Sequence, residues 1–303
     1  MSSEAPQGHP GLEAVVCRGC GGAQAQLLFE AQGYPILECH SCGLAYTGQS
    51  FDQAAAREYY GRQYYSQAGD YADAMKRAAP ADNEGDRERV RLAARLASCA
   101  TGRVLDVGCA AGGLLAAFRR AGWQCWGVEP SAELAAGARE LLGCQVYEGL
   151  LEEAPLGPES FDAVTAVHVL EHVPAPRRFL ECCRRLLRPG GALLLEVPDF
   201  GCRAARRRRA AWRPLYPDTH LCHFTGATLS RFLGESGFRV ALLRRYGGLG
   251  PLAPSQRADE IKRRVFEARR LAYRLPGFKH FARYVYWQLL GMNDYLSAGA
   301  VRQ

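Results

Sequence analysis

Three sets of residues in this 303-residue chain have the types and spacing to do chemistry: four cysteines, a glycine-punctuated turn with an acid after it, and a group of histidines. Cys17-Arg-Gly-Cys20 and Cys39-His-Ser-Cys42 form a C-x2-C-x18-C-x2-C array. Two such knuckles can bring four thiolates around one zinc ion, and a closed four-cysteine site is structural because it leaves no open position for chemistry. Neither pair opens a helix of a βαβ unit, which argues against a redox role. His40 lies between the ligands and is expected beside the site or at the surface.

The second set is VLDVGCAAGG, residues 104–113, followed by Glu129 at the end of GWQCWGVE. Val104, Leu105 and Val107 read as a strand buried on both faces. Gly108, Gly112 and Gly113 punctuate a tight turn, and LLAAFRRAG continues with helical spacing. Strand, glycine turn and helix place a ligand at the carboxyl end of the strand in an open α/β sheet. Glu129, after the next strand, is placed to accept both hydroxyls of a ribose. The dinucleotide fingerprint G-x-G-x-x-G is not met, since Ala110 stands where its second glycine would be, and no Walker-type phosphate loop is present. An alanine at 110 is tolerated there if its φ stays negative.

The third set is His168, His220 and His223, which suit proton transfer near neutral pH. His168 ends a strand on the ligand-binding edge, and His220 and His223 stand ahead of a later helix. The base is expected to be His168 or His223, with His220 behind them; each has a purely structural alternative. His168-x-x-Glu171-His172 matches a zinc-protease pattern superficially, but that pattern needs one helix face and His168 ends a strand. Glu171 and His172 are expected to fix the turn after it.

These residues imply an ordered set of elements. Residues 1–48 read as a zinc ribbon, with AQLLFEAQGYPILE as a hairpin. Residues 49–98 read as a helical, tyrosine-rich cap, in which Tyr59, Tyr60, Tyr64, Tyr65 and Tyr71 form either a pocket wall or a packing face. Residues 99–303 hold strands at 104–107, 124–128, 144–147, 161–169, 192–197, 238–245 and 294–302, the last antiparallel. Helices are expected at 113–121, 131–142 (with Ser131 as N-cap), 176–188 (closed by RPGG) and 227–236. Alternation of this kind implies a doubly wound, mostly parallel sheet. A loop at 199–224 and a basic helical insertion at 250–291 interrupt it.

VLDVGCAAGG resembles motif I of the class I S-adenosylmethionine-dependent methyltransferases, commonly written VLDxGCGxG. FDAVTAVHVLEHVPAPRRFLECCRRLLRPGGALLLEVP is similar to segments of the ubiquinone-biosynthesis type, and HLCHFTGATLSRFLGESGF resembles that family's H-x-x-HF segment. A zinc ribbon ahead of such a core is similar to a bacterial subgroup that includes nucleotide-sugar methyltransferases. The resemblance implies a seven-stranded, Rossmann-like sheet and S-adenosylmethionine as cofactor. It implies that Asp106 fixes the loop and the methionine amine, and that Gly108, Cys109, Ala110 and Gly112 face the methionine part. Glu129, with Pro130 beside it, holds the ribose. Leu150 and Leu151 stand where relatives read the adenine with an acid and its neighbour; that acid is absent, and Glu152 is a substitute. Cys109 reads as a small packing residue.

The net charge of +7 is uneven. Six arginines at 203–213 and a basic stretch at 257–283 leave the rest mildly acidic. The first run suits an anionic acceptor. The apolar and basic residues of 257–290 suit a membrane surface, a lid or a dimer contact. The amino terminus lacks a signal pattern and no apolar run reaches the length of a membrane span, so a cytoplasmic location is expected. The expected function is methylation of a small molecule (a sugar, a lipid-linked compound or a secondary metabolite) at oxygen, where a histidine base serves a hydroxyl. An RNA methyltransferase and a non-catalytic cofactor-binding partner are the alternatives.

Overall fold

The computed structural model describes residues 15–60, 84–246 and 294–303. Strands β4 (Arg103–Val107), β5 (Gln124–Glu129), β6 (Gln145–Glu148), β7 (Phe161–Val167), β8 (Leu187–Pro198), β10 (Phe238–Tyr246) and β11 (Tyr295–Arg302) build the main sheet. Its order is β10-β11-β8-β7-β4-β5-β6. Pairs from β6 to β8 are parallel, and β11 runs antiparallel to both β8 and β10. The chain starts at the middle strand β4, winds outward to β6, then returns to β7 on the other side. Crevices for ligands open at such a reversal, outside the carboxyl ends of the strands.

Side-chain alternation divides the core into two faces. Val104, Ala163, Ala192 and Leu194 pack with Val90, Ala93 and Phe118 from helices Glu84–Leu96 and Gly113–Arg120. Leu105, Val107, Val164, Leu193 and Leu195 pack with Phe179, Leu180, Leu229 and Phe232 from helices Pro176–Leu186 and Gly226–Glu235. Each fully buried Leu or Phe contributes about 1.5–3 kcal/mol. Helix Ala132–Leu142 begins as expected, with Ser131 Oγ accepting from the Leu134 amide at 3.4 Å. RPGG differs from expectation. The helix ends at Leu186, and residues 187–190 already belong to β8, where the register with β7 shifts between Phe161 and Ala163.

The ribbon is a hairpin, β1 (Ala25–Ala31) and β2 (Tyr34–Cys39), followed by β3 (Ala45–Thr47). Gln32 and Gly33 both have positive φ, +51° and +83°, as a two-residue hairpin turn requires. The 199–224 loop is not irregular throughout. It holds a short helix, Arg203–Arg208, and a two-residue strand β9 (Cys222–His223) that extends the ribbon sheet in the order β1-β2-β3-β9. The ribbon therefore shares strand pairing and core with the body: Arg231 donates to the Cys42 carbonyl at 2.8 Å, and Arg177 lies 4.5 Å over the Phe232 ring and donates to the Gly19 carbonyl. Tyr64, Tyr65, Tyr71 and the 250–291 insertion lie outside the described residues.

Candidate active site

A cavity of about 1010 Å³ opens at the carboxyl ends of β4, β5 and β7. Asp106, the fourth residue of β4, is buried and accepts from Thr165 Oγ1 of the neighbouring β7 at 2.6 Å. The chain then turns sharply. Gly108 has φ +69°, and a Cβ there would lie 2.6 Å from Val169 Cγ2. Gly112 has φ +82° and caps the helix that follows. Ala110 departs from the sequence expectation: its φ is +46°, the left-handed region, not a negative value. The turn is held by Glu129. One carboxylate oxygen accepts from the Ala110 amide at 2.9 Å, the other from the Ser131 amide at 2.9 Å. Those bonds fix Ala110 in a conformation that costs an L-residue on the order of 1–2 kcal/mol.

Burial pushes the carboxyls of Asp106 and Glu129 up to about 7 against the pull of these hydrogen bonds. Cys109 fills the space over Gly127 and its thiol is pushed well up by burial, in keeping with a packing role. Pro130, Leu150 and Leu151 line the same cavity, with Glu152 beside them. The Leu150 amide donates to Glu153 at 3.4 Å. This side offers a glycine cradle, two buried carboxyls and an apolar wall, which together suit an adenosyl group with a charged amino-acid tail.

A family profile described as a methyltransferase domain matches residues 61–243. The chain belongs to the class I S-adenosylmethionine-dependent methyltransferases. It is 41% identical to the ubiquinone biosynthesis O-methyltransferase of Xanthomonas campestris pv. campestris over 101 residues, 31% of this chain and 42% of that protein. The chain thus spans less than half the length of the curated relatives it matches. Among solved structures, the [4+2]-cyclase SpnF superposes with a TM-score of 0.52 at 19% identity, covering 83% of this chain and 96% of that one. Haemonchus contortus phosphoethanolamine N-methyltransferase 2, in complex with S-adenosyl-L-methionine, also gives 0.52, at 17% identity over 85% of this chain and 61% of that one. Both likenesses are of fold.

Within this methyltransferase fold the three candidate base histidines separate. His168 follows β7 directly, with φ +57°, and its side chain is about two-fifths exposed to the cavity. Its Nδ1 lies 3.4 Å from Glu171 Oε1. Non-glycine residues in this backbone region persist where surrounding structure over-determines them, often at functional sites. His220 also lines the cavity, 4.6 Å from the His172 ring, and burial holds its imidazole well below the ordinary range. His223 does not line it. His223 belongs to β9 and is buried against Phe200; its Nε2 is 3.0 Å from Thr47 Oγ1, and burial drives its imidazole down to about 3. Gly112, too, serves the turn from outside the lining.

Glu171 and His172 are more than turn residues. They project into the cavity from a single helical turn, Leu170–His172, with Tyr60 Oη 2.8 Å from His172 Nδ1. Tyr59 and Tyr60 form part of the wall, as one reading of the tyrosine-rich cap expected. Arg89, Asp86, Tyr216 and Tyr295 also line it and carried no sequence signal. Arg89 is bound through both carboxylate oxygens of Glu196, at 3.0 and 2.5 Å, and to Asp86 at 2.7 Å. None of the six arginines of 203–213 lines the cavity; Arg209 instead stacks 5.1 Å over Phe29 of the ribbon.

The ligand atoms of Cys17, Cys20, Cys39 and Cys42 lie within 4.8 Å of one another, with Sγ–Sγ separations of 3.5 Å for Cys17–Cys42 and Cys20–Cys39. Four sulfurs at the usual zinc–sulfur distance stand roughly 3.8 Å apart. The donor set and spacing fit tetrahedral zinc. Glu171, His172 and His220 form the second such group among the described residues.

Proposed function

We propose that this chain transfers a methyl group from S-adenosylmethionine to a hydroxyl of a small-molecule acceptor, with His168 as the base. The observation that carries this reading is His168 itself: a left-handed residue at the end of β7, facing the cavity, with Glu171 3.4 Å from its Nδ1. Asp106, Gly108, Cys109, Ala110, Glu129, Pro130, Leu150 and Leu151 would hold the cofactor. S-adenosylmethionine, when bound, supplies a methyl group on a cationic sulfur that is already activated for displacement. The protein's part is to align the acceptor, exclude water and accept a proton. With Glu171 3.4 Å from Nδ1, the imidazole would take the hydroxyl proton at Nε2 as the oxygen gains the methyl group and S-adenosylhomocysteine leaves, the nearby carboxylate favouring the imidazolium so formed. The likeness to the Xanthomonas O-methyltransferase supports a hydroxyl acceptor.

In this reading Cys17, Cys20, Cys39 and Cys42 hold a structural zinc. None of the twelve cysteines forms a disulfide, which suits the reducing cytoplasm, and no helix among the described residues is long and apolar enough to cross a membrane. Calorimetric titration of the purified chain with S-adenosylhomocysteine tests the cofactor assignment, with one site per chain expected. Absence of binding overturns the whole reading. Elemental analysis of the same sample is expected to find one zinc per chain.

A further inference from the structure

Glu171 is the least satisfied charged side chain in the cavity. It is 1% exposed, lines the cavity, and neither carboxylate oxygen has a hydrogen-bond partner. The nearest cationic candidate, His168 Nδ1 at 3.4 Å, meets one oxygen only, and not as a hydrogen bond. A buried carboxylate without a partner is costly, on the order of several kcal/mol, unless a cation or a donor completes it.

Among the described residues none supplies that cation. His172 and His220 flank Glu171, and burial holds both imidazoles below their ordinary range, so they stand neutral. The lining residues include six carboxyl groups, from Asp86, Asp106, Glu129, Glu152, Glu171 and Asp218, and one guanidinium, from Arg89. Arg89 is already committed to Glu196 and Asp86. Asp106 and Glu129 belong to the cofactor side and accept bonds from Thr165 and from two backbone amides. Glu171 follows β7, whereas Glu129 ends β5 on the other side of β4.

His172 and His220 each bring a ring nitrogen within 4.8 Å of a Glu171 oxygen, and Tyr60 and Tyr216 pack on those two imidazoles. The Tyr60 and His172 centroids are 5.4 Å apart, those of His172 and His220 4.6 Å, and those of Tyr216 and His220 5.1 Å, all edge to face. Aromatic faces around a buried carboxylate attract an alkylammonium group through the ring quadrupoles and through the charge itself. An anionic group entering here would meet the Glu171 carboxylate, and the arginine run that suggested an anionic acceptor does not line the cavity.

We propose that the acceptor carries a protonated amine, seated on Glu171 between the rings of Tyr60, His172, His220 and Tyr216. This deepens the methyltransferase reading and rests on it. The amine is a handle, held by the oxygen of Glu171 that does not face His168, and the hydroxyl to be methylated lies toward His168. Glu171 is thus a substrate-binding and specificity residue as well as the partner of the base.

Matched probes of opposite charge test it. Phenethylammonium and phenylacetate are titrated calorimetrically into the full chain loaded with S-adenosylhomocysteine, in EDTA-containing buffer. Phenethylammonium is expected to bind at least about tenfold more tightly than phenylacetate, a difference of about 1.4 kcal/mol. Glu171→Gln is expected to shrink that preference to under about threefold while S-adenosylhomocysteine still binds. Equal or tighter binding of phenylacetate overturns the proposal, as does binding of neither probe or a preference that survives in Glu171→Gln. A preference that appears only after a divalent metal is added also overturns it, because Glu171, His172 and His220 would then be metal ligands. If Glu171→Gln does not fold, the wild-type comparison decides alone. Failure of S-adenosylhomocysteine to bind strikes the methyltransferase reading instead, so the two failures are distinct.

Discussion

Asp106, the glycine turn and Glu129 on the cofactor side of the cavity all come from residues 106–129, one strand–turn–helix–strand unit. On the proposed acceptor side, Tyr60, His168, Glu171, His172 and His220 come from three separate segments. The first group is held within the main sheet: Glu129 by the amides of Ala110 and Ser131, and Asp106 by Thr165 of the adjacent strand β7. The second is held by neighbours. Thr47 of the ribbon donates to the His220 carbonyl at 2.8 Å, and the Leu221 amide donates to the Glu171 carbonyl at 2.8 Å. A binding site for an invariant cofactor can be preorganised within one local unit. A site for a variable acceptor is assembled from appendages that change without disturbing the sheet.

Disrupting the proposed zinc site should separate the two sides most sharply. Apparent binding energies of structural zinc in small domains are about 10–16 kcal/mol at neutral pH, so Cys39→Ser or strong chelation should melt the ribbon. With β3 gone, β9 loses its partner strand and His220 its anchor. Methyl-transfer turnover is expected to fall by about two orders of magnitude or more, while S-adenosylhomocysteine affinity changes by less than about threefold. The order of magnitude of the first follows from the loss of a positioned acid–base site. Equal loss of both activities would show that the ribbon supports the whole domain.

His168→Ala cuts within the acceptor side. Loss of a general base costs about 10²–10⁴ in kcat, with cofactor affinity nearly unchanged. His223→Ala should instead lower stability, because it removes a buried ring packed on Phe200 and bonded to Thr47, and should leave the kcat of the folded fraction intact. Urea unfolding together with turnover under saturating cofactor reads both. If His223→Ala abolishes kcat at full stability, the base assignment fails.

The acidity of the cofactor side gives a smaller effect, on the order of tenfold per pH unit. Burial raises the Glu129 carboxyl from 4.5 to about 7 and Asp106 from 3.8 to about 7. For a carboxyl raised on folding, the protonated form is favoured in the native state. Its contribution to stability is therefore full below the unfolded value and is lost as pH rises from about 4 through about 7. A ribose donating to Glu129 favours the ionised form, so affinity should rise from pH 5.5 and level off above pH 7. S-adenosylhomocysteine titrations across that range measure it, and Glu129→Gln should flatten the slope.

The same division explains what could be read from the sequence. Val104 to Glu129 is legible because its apolar strand run, turn glycines, helix spacing and terminal acid are all local signals. The antiparallel β11 and the ribbon hairpin were legible for the same reason. Arg89 was not, because its partner Glu196 lies 107 residues away and nothing near Arg89 marks it. The two-residue β9 exists only through pairing with β3, so no periodicity announces it. Glu171 and His172 stood in a recognised pattern, but His168-x-x-Glu171-His172 reads as a turn until the cavity shows which way the side chains face.

Ala110 is the one place where the self-contained side of the cavity is strained, and it offers the finest test of the contrast. Its φ of +46° costs an L-residue on the order of 1–2 kcal/mol. Glycine there avoids that cost but loses more backbone entropy on folding, about 0.5–1 kcal/mol relative to alanine. Ala110→Gly should therefore stabilise the free protein by roughly 0.5–1 kcal/mol, the difference of those two terms. The amide that donates to Glu129 at 2.9 Å is kept, so cofactor affinity should hold or improve slightly. The change is read as a higher urea midpoint with an unchanged slope. A lower midpoint would mean that the alanine methyl, buried beside Ala111 and Leu134, contributes more through packing than its backbone conformation costs.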